Sequence, residues 1–228
     1  DIWSESMSEN ESQKKIVEDP VLLREMRDGM ETAYIDRRRS SSQMYQPSFV
    51  SNNYAEGKKV VASIDEELKK CDEFRISVAF ITMGGIEPLL QTLKELEMKG
   101  VPGKILTTNY LTFSEPLALK KLQELSNVTL KMYDADKAGN GFHTKGYIFS
   151  DNCGGFESGT SGRQEIYHII IGSSNMTGAA LTINREWNTK IISTKQGEMA
   201  QEILSEFDGL WESEQSLGVD EFYDDSKH

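Results

Sequence analysis

Apolar positions recur in two rhythms along the chain, and the rhythm switches repeatedly between residues 58 and 211. Val60, Val61, Ile64 and Leu68 fall on one helical face. Phe74–Ile81 is a near-continuous apolar run closed by Gly84-Gly85, the pattern of a buried strand. Ile86–Met98 returns to helical spacing through Leu89, Leu90, Leu93 and Leu96 and stops at Gly100 and Pro102. Lys104–Thr107 predicts a strand. Pro116–Leu125 predicts a helix with proline in its first turn, and Val128–Tyr133 another strand. Two apolar runs follow near 143–150 and 166–172, then a short helix at Met176–Leu181 and a strand at Glu186–Ser193. Gly197–Trp211 predicts an amphipathic helix with Met199, Ile203, Leu204, Phe207, Leu210 and Trp211 on one side. Strands alternating with helices predict an α/β fold, a layered α-β-α sandwich around a mixed, mostly buried sheet.

Outside that region the pattern fades. Residues 1–19 are polar and aperiodic and read as a flexible acidic tail. Residues 20–57 read as a peripheral segment with a short helix at Val21–Met30. Residues 58–211 form the predicted domain, and residues 212–228 read as a loose acidic C-terminal tail.

Composition changes the picture in three ways. The net charge of −12 is terminal: six acids oppose two bases in residues 1–19, ten oppose one in residues 198–228, and residues 20–197 are left at +1. The middle can therefore present a local basic surface, although charge alone makes no case for nucleic acid. Two cysteines, Cys71 and Cys153, are too few for a disulfide framework or a structural zinc cluster, which favours free thiols in a reducing compartment. No run reaches the roughly 18–20 apolar residues of a membrane span, and the start lacks the basic and apolar parts of a signal peptide, so the expectation is a cytoplasmic protein without a membrane partner. The chain begins at Asp1 rather than Met, as a trimmed chain or a piece of a longer one would.

The candidate chemistry lies in Gly141–Glu186. His143 and Lys145 are two apart, a spacing that on a strand puts both side chains on one face. Imidazole can attack phosphorus or protonate a leaving oxygen, and an ammonium neutralises non-bridging oxygens. Gly172-Ser173-Ser174-Asn175 follows the next predicted strand. Such a turn offers backbone N–H groups, hydroxyls and an amide to an anion. Glu186, eleven residues on, is placed to accept the second ring proton of the imidazole. Taken singly, an HxK tripeptide reads as an ordinary surface strand and GSSN as an ordinary turn. Their order, one after each of two strands and followed by Asn184-x-Glu186, is what makes the signal.

These residues resemble the phospholipase D, or HKD, superfamily. The pieces are His143-Thr144-Lys145, then Gly172-Ser173-Ser174-Asn175, then Thr177, Ala180, Asn184 and Glu186. The string GSSNMTGAALTINREWN is similar to the nuclease-like branch, including restriction-type enzymes that work without a metal. The wider stretch Tyr45–Trp211 resembles the N-terminal module of some bacterial DEAD/DEAH-box helicases. It does so through Cys71–Phe74 leading into Ser77–Thr82, through Leu106–Tyr110 and through Phe142–Phe149. The family carries Asp five positions after its Lys. Here that position is Ser150, and Asp151 falls on the opposite strand face by alternation, so Asp151 is not taken as catalytic.

The resemblance implies a metal-independent phosphodiesterase needing no cofactor. One His attacks phosphorus to form a phosphohistidine, a second protonates the leaving oxygen, and water resolves the intermediate. It implies catalytic roles for His143, Lys145, Asn175 and Glu186, with Lys145, Ser173 and Asn175 on the phosphate. The chain has one such set and no internal repeat, so the expectation is a C2 homodimer acting on DNA. A helicase domain C-terminal to this stretch is a possible further partner, and ATP chemistry would belong there, since no GxxxxGK[ST] loop occurs. Two other readings stay open: a weakly catalytic or non-catalytic DNA-binding module, and a phospholipid phosphodiesterase. Arg37-Arg38-Arg39 reads as solvated surface or a backbone-phosphate contact. Residues 152–165 read as a Gly-rich surface loop or an access loop, and Tyr110 and Phe113 as core or base-stacking rings. His168 reads as a structural histidine on the second apolar run, and His228 is terminal.

Overall fold

The computed structural model describes residues 20, 23–24, 45–109, 113–153 and 164–225. The expected tail at residues 1–19, Arg37–Arg39, Tyr110 and the Gly-rich stretch 154–163 lie outside them, as does all but Leu23 and Arg24 of the expected helix Val21–Met30. The chain divides into two compact units, Asp1–Pro47 and Ser48–His228, and the second carries the sheet.

Among the described residues, eight strands form one sheet: β1 (Ser48–Val50), β2 (Glu73–Val78), β3 (Gly103–Thr108), β4 (Val128–Tyr133), β5 (Lys145–Cys153), β6 (Gln164–Gly172), β7 (Asn188–Thr194) and β8 (Ser216–Gly218), in the order β1-β7-β6-β5-β2-β3-β4-β8. β2, β3 and β4 run parallel and every other neighbour is antiparallel. The helices are α1 (Val60–Leu68), α2 (Met83–Ile86), α3 (Leu90–Lys99), α4 (Pro116–Gln123), α5 (Ala135–Ala138), α6 (Gly178–Thr182), α7 (Glu198–Trp211) and α8 (Val219–Asp225). The expected α/β layering is what folds.

Two cores lie on opposite faces of the sheet. Phe74, Ile76, Tyr147, Phe149 and Ile170 meet Ile64 and Leu68 of α1, Leu93 and Leu96 of α3, and Leu119 and Leu122 of α4. Ile148, Ile169 and Ile191 meet Ala200, Phe207 and Trp211 of α7. The inner strands read as continuous apolar runs because both of their faces are covered. Trp211 is fixed from several sides. Its ring stacks on Phe207 at 5.8 Å, the ammonium groups of Lys104 and Lys131 lie 5.4 and 4.9 Å from its centroid, and Lys131 Nζ donates to its carbonyl.

The domain is larger than the residue 58–211 span expected from the sequence. β1 pairs with β7, so the sheet unit begins at Ser48. The stretch after Trp211 is not a loose tail: β8 pairs with Lys131–Tyr133 of β4, and α8 sends Val219 and Phe222 into the core. Acidic residues between those apolar positions hide the pattern, and a three-residue strand is too short to show alternation.

α1 also buries a carboxylate, Glu67, which is 3% exposed. Lys190 Nζ of β7 donates to one of its oxygens at 2.9 Å. His168 Nδ1 of β6 lies 2.7 Å from the other, off the line of a well-aligned hydrogen bond. Burial alone would push this carboxyl up; the interactions with His168 and Lys190 outweigh it and hold the pKa down at about 2. A carboxyl lowered on folding stabilises the native state above its unfolded value and loses that contribution as pH falls through the folded value. The expected result is a loss of stability between about pH 4.5 and pH 2 that urea titrations detect. Glu67→Gln should lack that part of the pH dependence and be less stable at pH 7 by about 2–4 kcal/mol.

Candidate active site

β5 begins at Lys145, so His143 and Thr144 stand just before the strand rather than on it. Their backbone is fixed on both sides. Phe142 is buried and packs on Tyr133 with ring centroids 5.3 Å apart, and Thr144 Oγ1 and Ser77 Oγ share a 2.6 Å hydrogen bond. The imidazole of His143 is exposed, while Lys145 is 9% exposed. Lys145 Nζ donates to the His143 carbonyl at 3.0 Å and lies 2.9 Å from His143 Nδ1. A charged ammonium can only donate, so Nδ1 accepts and the neutral ring carries its proton on Nε2. Desolvation lowers the Lys145 pKa, and the nearby charge of Glu186 opposes it.

The Gly172–Asn175 turn is wedged between the ends of β6 and β7. Gly172 is required there, because a Cβ would stand 2.2 Å from the carbonyl oxygen of Trp187. Ser174 is fully buried and held three ways. Its N–H donates to Asn188 Oδ1 at 3.2 Å, its hydroxyl accepts from Asn188 Nδ2 at 2.9 Å, and its carbonyl accepts from Tyr147 Oη at 3.0 Å. Burial first, and the charge of Glu186 second, push the Tyr147 phenol far above its ordinary pKa, so it stays a donor. Asn175 Oδ1 accepts from the Phe80 N–H at 3.2 Å, which leaves the amide its Nδ2 donors for the site.

Two expectations need correction. The turn is not a cradle of free N–H groups. Ser173 N donates to Trp187 O, Ser174 N to Asn188 Oδ1, Met176 N to Phe80 O and Thr177 N to Asn175 O. The turn splices the end of β2 to the start of β7, and these donors are consumed by that joint. Glu186, moreover, accepts from the Ser173 hydroxyl and not from His143, whose Nδ1 is already occupied by Lys145. The structure thus sets the Lys145 ammonium on His143 and connects the His143 ring to the Asn175 amide through Phe80, with Glu186 of the Glu186–Ser173 pair close enough for its charge to act on Lys145.

Position 150 is settled by register. β5 pairs without a bulge, with β2 over Lys145–Ser150 and with β6 over Gly146–Cys153. Ser150 and Asp151 therefore stand about 16 Å or more along the strand from Lys145 and do not reach the site. Among the described residues no cluster of three His, Cys, Asp or Glu side chains is arranged to hold a metal ion.

Three supporting residues escaped sequence reasoning: Asn188, Tyr147 and Phe80. Only Asn188 gave a signal, as a lone amide entering an apolar strand. Asn188→Ala leaves the Ser174 N–H and the Val50 carbonyl, which accepts from Asn188 Nδ2 at 3.1 Å, without partners in a buried place. It should destabilise the fold by about 2–4 kcal/mol in urea unfolding, more than truncation of an exposed polar residue does.

The family described as "Cardiolipin synthase, PLD-like domain" matches residues 64–211, more than half of the chain. No curated protein matches the chain by sequence. Among solved structures, NucT from Helicobacter pylori is similar with a TM-score of 0.55 and 16% identity, covering 76% of this chain and 98% of that one. The phospholipase D family member Nuc from Salmonella typhimurium is similar with a TM-score of 0.52 and 18% identity, over 76% and 98% of the two chains. Phosphatidylserine synthase from Haemophilus influenzae has a TM-score of 0.52 and 14% identity, over 76% of this chain and 40% of that one. The shared sheet, together with a family match that runs from α1 to the end of α7, establishes that this chain belongs to the phospholipase D-like family.

Proposed function

We propose that this chain hydrolyses phosphodiester bonds in DNA through a phosphohistidine on His143, without a metal, in a site completed by a second copy. The observation that carries the reading is the buried Lys145 ammonium held on the His143 carbonyl, with the His143 ring and the Asn175 amide both set against Phe80. The ring that protonates the leaving oxygen must be an imidazolium with protons on both nitrogens, so that giving up its Nε2 proton leaves it neutral. The attacking ring must instead carry its Nε2 lone pair, with its proton on Nδ1. One chain holds one such ring, so the two tasks need two copies.

The steps balance on two imidazoles. Nε2 of one His143 forms the P–N bond as the P–O bond to the leaving group breaks. The leaving oxygen takes the Nε2 proton of the second copy's ring, which enters the step as imidazolium and is left neutral. That ring, now basic, accepts a proton from water as water attacks phosphorus and the P–N bond breaks. Lys145 and Asn175 Nδ2 stabilise charge on the non-bridging oxygens. Ser173 and Glu186 hold the phosphate side of the turn.

Support for a second copy comes from the surface beside the site. Phe49 and Ile171 both stand opposite Thr189 of β7, hence on one sheet face, and are 63% and 39% exposed. Trp187, next to Glu186, is 75% exposed with its ring edge-on to Phe49 at 6.1 Å. Apolar surface continuous with a half-complete site suits a self-complementary partner.

A second reading is a DNA-targeting module with little turnover, within a larger helicase or restriction-type protein. Ser150 at the family's Asp position and the engagement of Nδ1 by Lys145 favour it.

The deciding assay is hydrolysis of single-stranded and duplex DNA in EDTA. Activity should persist, His143→Ala should lower it by about 10³-fold or more, and acid-labile label should appear on His143. DNA binding without cleavage, equal in wild type and His143→Ala, would select the targeting module instead. In sedimentation the wild type should be a dimer. Phe49→Glu should shift it to monomer and abolish cleavage at that concentration while circular dichroism stays native.

A further inference from the structure

Phe113 is 59% exposed. The residues after it are stitched to the segment following β2. Ile81 N donates to Ser114 Oγ at 3.2 Å, Glu115 N to Ile81 O at 2.9 Å, and Met83 N to the Glu115 carboxylate at 2.7 Å. Phe80 is held as firmly, its N–H on Asn175 Oδ1 and its carbonyl accepting from Met176 N. The Phe80 ring lies edge-on to Phe113 at 5.2 Å and edge-on to the His143 ring at 6.4 Å. A fixed aromatic ledge thus runs from the imidazole outward to solvent.

We propose that Phe113, backed by Phe80, is a stacking subsite for an unpaired nucleobase next to the scissile phosphate, so that the preferred substrate is a single strand rather than a duplex. This rests on the phosphodiesterase reading above and names its substrate class. A base in a duplex has both faces covered by its neighbours, and only an unpaired base can offer a face to the ring. Charge points the same way. Duplex affinity comes largely from neutralising phosphates, and residues 20–197 carry a net charge of only +1 within a chain at −12. Affinity for a nucleic acid must then come from another source, and stacking on an aromatic ring is one that is indifferent to sequence.

The test compares three substrates of equal length: a mixed-sequence single strand, its duplex, and a strand of abasic tetrahydrofuran residues that keeps the phosphodiesters and lacks the bases. Wild type should cleave the single strand with kcat/KM at least tenfold above the other two. Phe113→Ala should lower kcat/KM on the single strand by roughly 5- to 100-fold, mainly through KM, and leave the abasic strand unchanged. Phe113→Trp should retain single-strand activity. Equal loss on the abasic strand, an unchanged KM on the single strand, or equal cleavage of duplex would overturn the subsite. So would a shift of Phe113→Ala to monomer in sedimentation, which would assign the ring to the subunit interface, or a loss confined to short-chain phosphatidylcholine, which would assign it to a lipid. If wild type cleaves no diester, the hydrolase reading fails separately. The subsite is then read from the binding of fluorescent single and abasic strands, where Phe113→Ala should weaken only the former.

Discussion

The Gly172–Met176 turn can exist only because its buried polar groups find partners, and most of the site depends on that condition. Ser174 lies in a fully buried position where an unpaired backbone group costs about 1–3 kcal/mol. Asn188 and Tyr147 supply the missing partners. Phe80 supplies both a donor and an acceptor from the end of β2. The joint holds β2, β5, β6 and β7 in one arrangement, and Asn175 takes its orientation as a by-product. Close approach of α2 is part of the same joint, since a Cβ on Gly85 would stand 2.0 Å from the Met176 carbonyl oxygen.

Within that frame the site balances two opposed electrostatic effects. Lys145 is almost fully buried, which disfavours its charge, and Glu186 partly offsets this from the opposite side of the turn. Two of the three ammonium hydrogens are taken by the carbonyl and ring of His143. The buried Glu67 with Lys190 and His168 is a separate cluster that pins α1 to β6 and β7.

Much of the fold was legible because β2 and β4 set Phe74, Ile76, Leu130 and Met132 on one face, β5 and β6 bury apolar residues on both, and α7 keeps one stripe through Phe207 and Trp211. β1, β8 and α8 were not, because two are three-residue strands and the third sets Val219 and Phe222 among acids. Of the site, His143, Lys145 and Asn175 were legible from spacing. The partner of Glu186 was not, since Ser173 and His143 are equally plausible donors to it until the turn is folded. Nor does a sequence say how many N–H groups of a turn remain free. Asn188, Tyr147 and Phe80 were hidden because residues that support a site look like residues that fill a core.

The anchoring of His143 has a consequence for time. Phe142 before it is packed on Tyr133, and Thr144 after it is bonded to Ser77. The main chain at this position has little room to travel. Reorientation of the exposed ring then needs only rotation about side-chain bonds, which exposed residues complete in picoseconds to nanoseconds. Closure of a loop takes microseconds to milliseconds. The imidazole can therefore change its orientation faster than any lid could move.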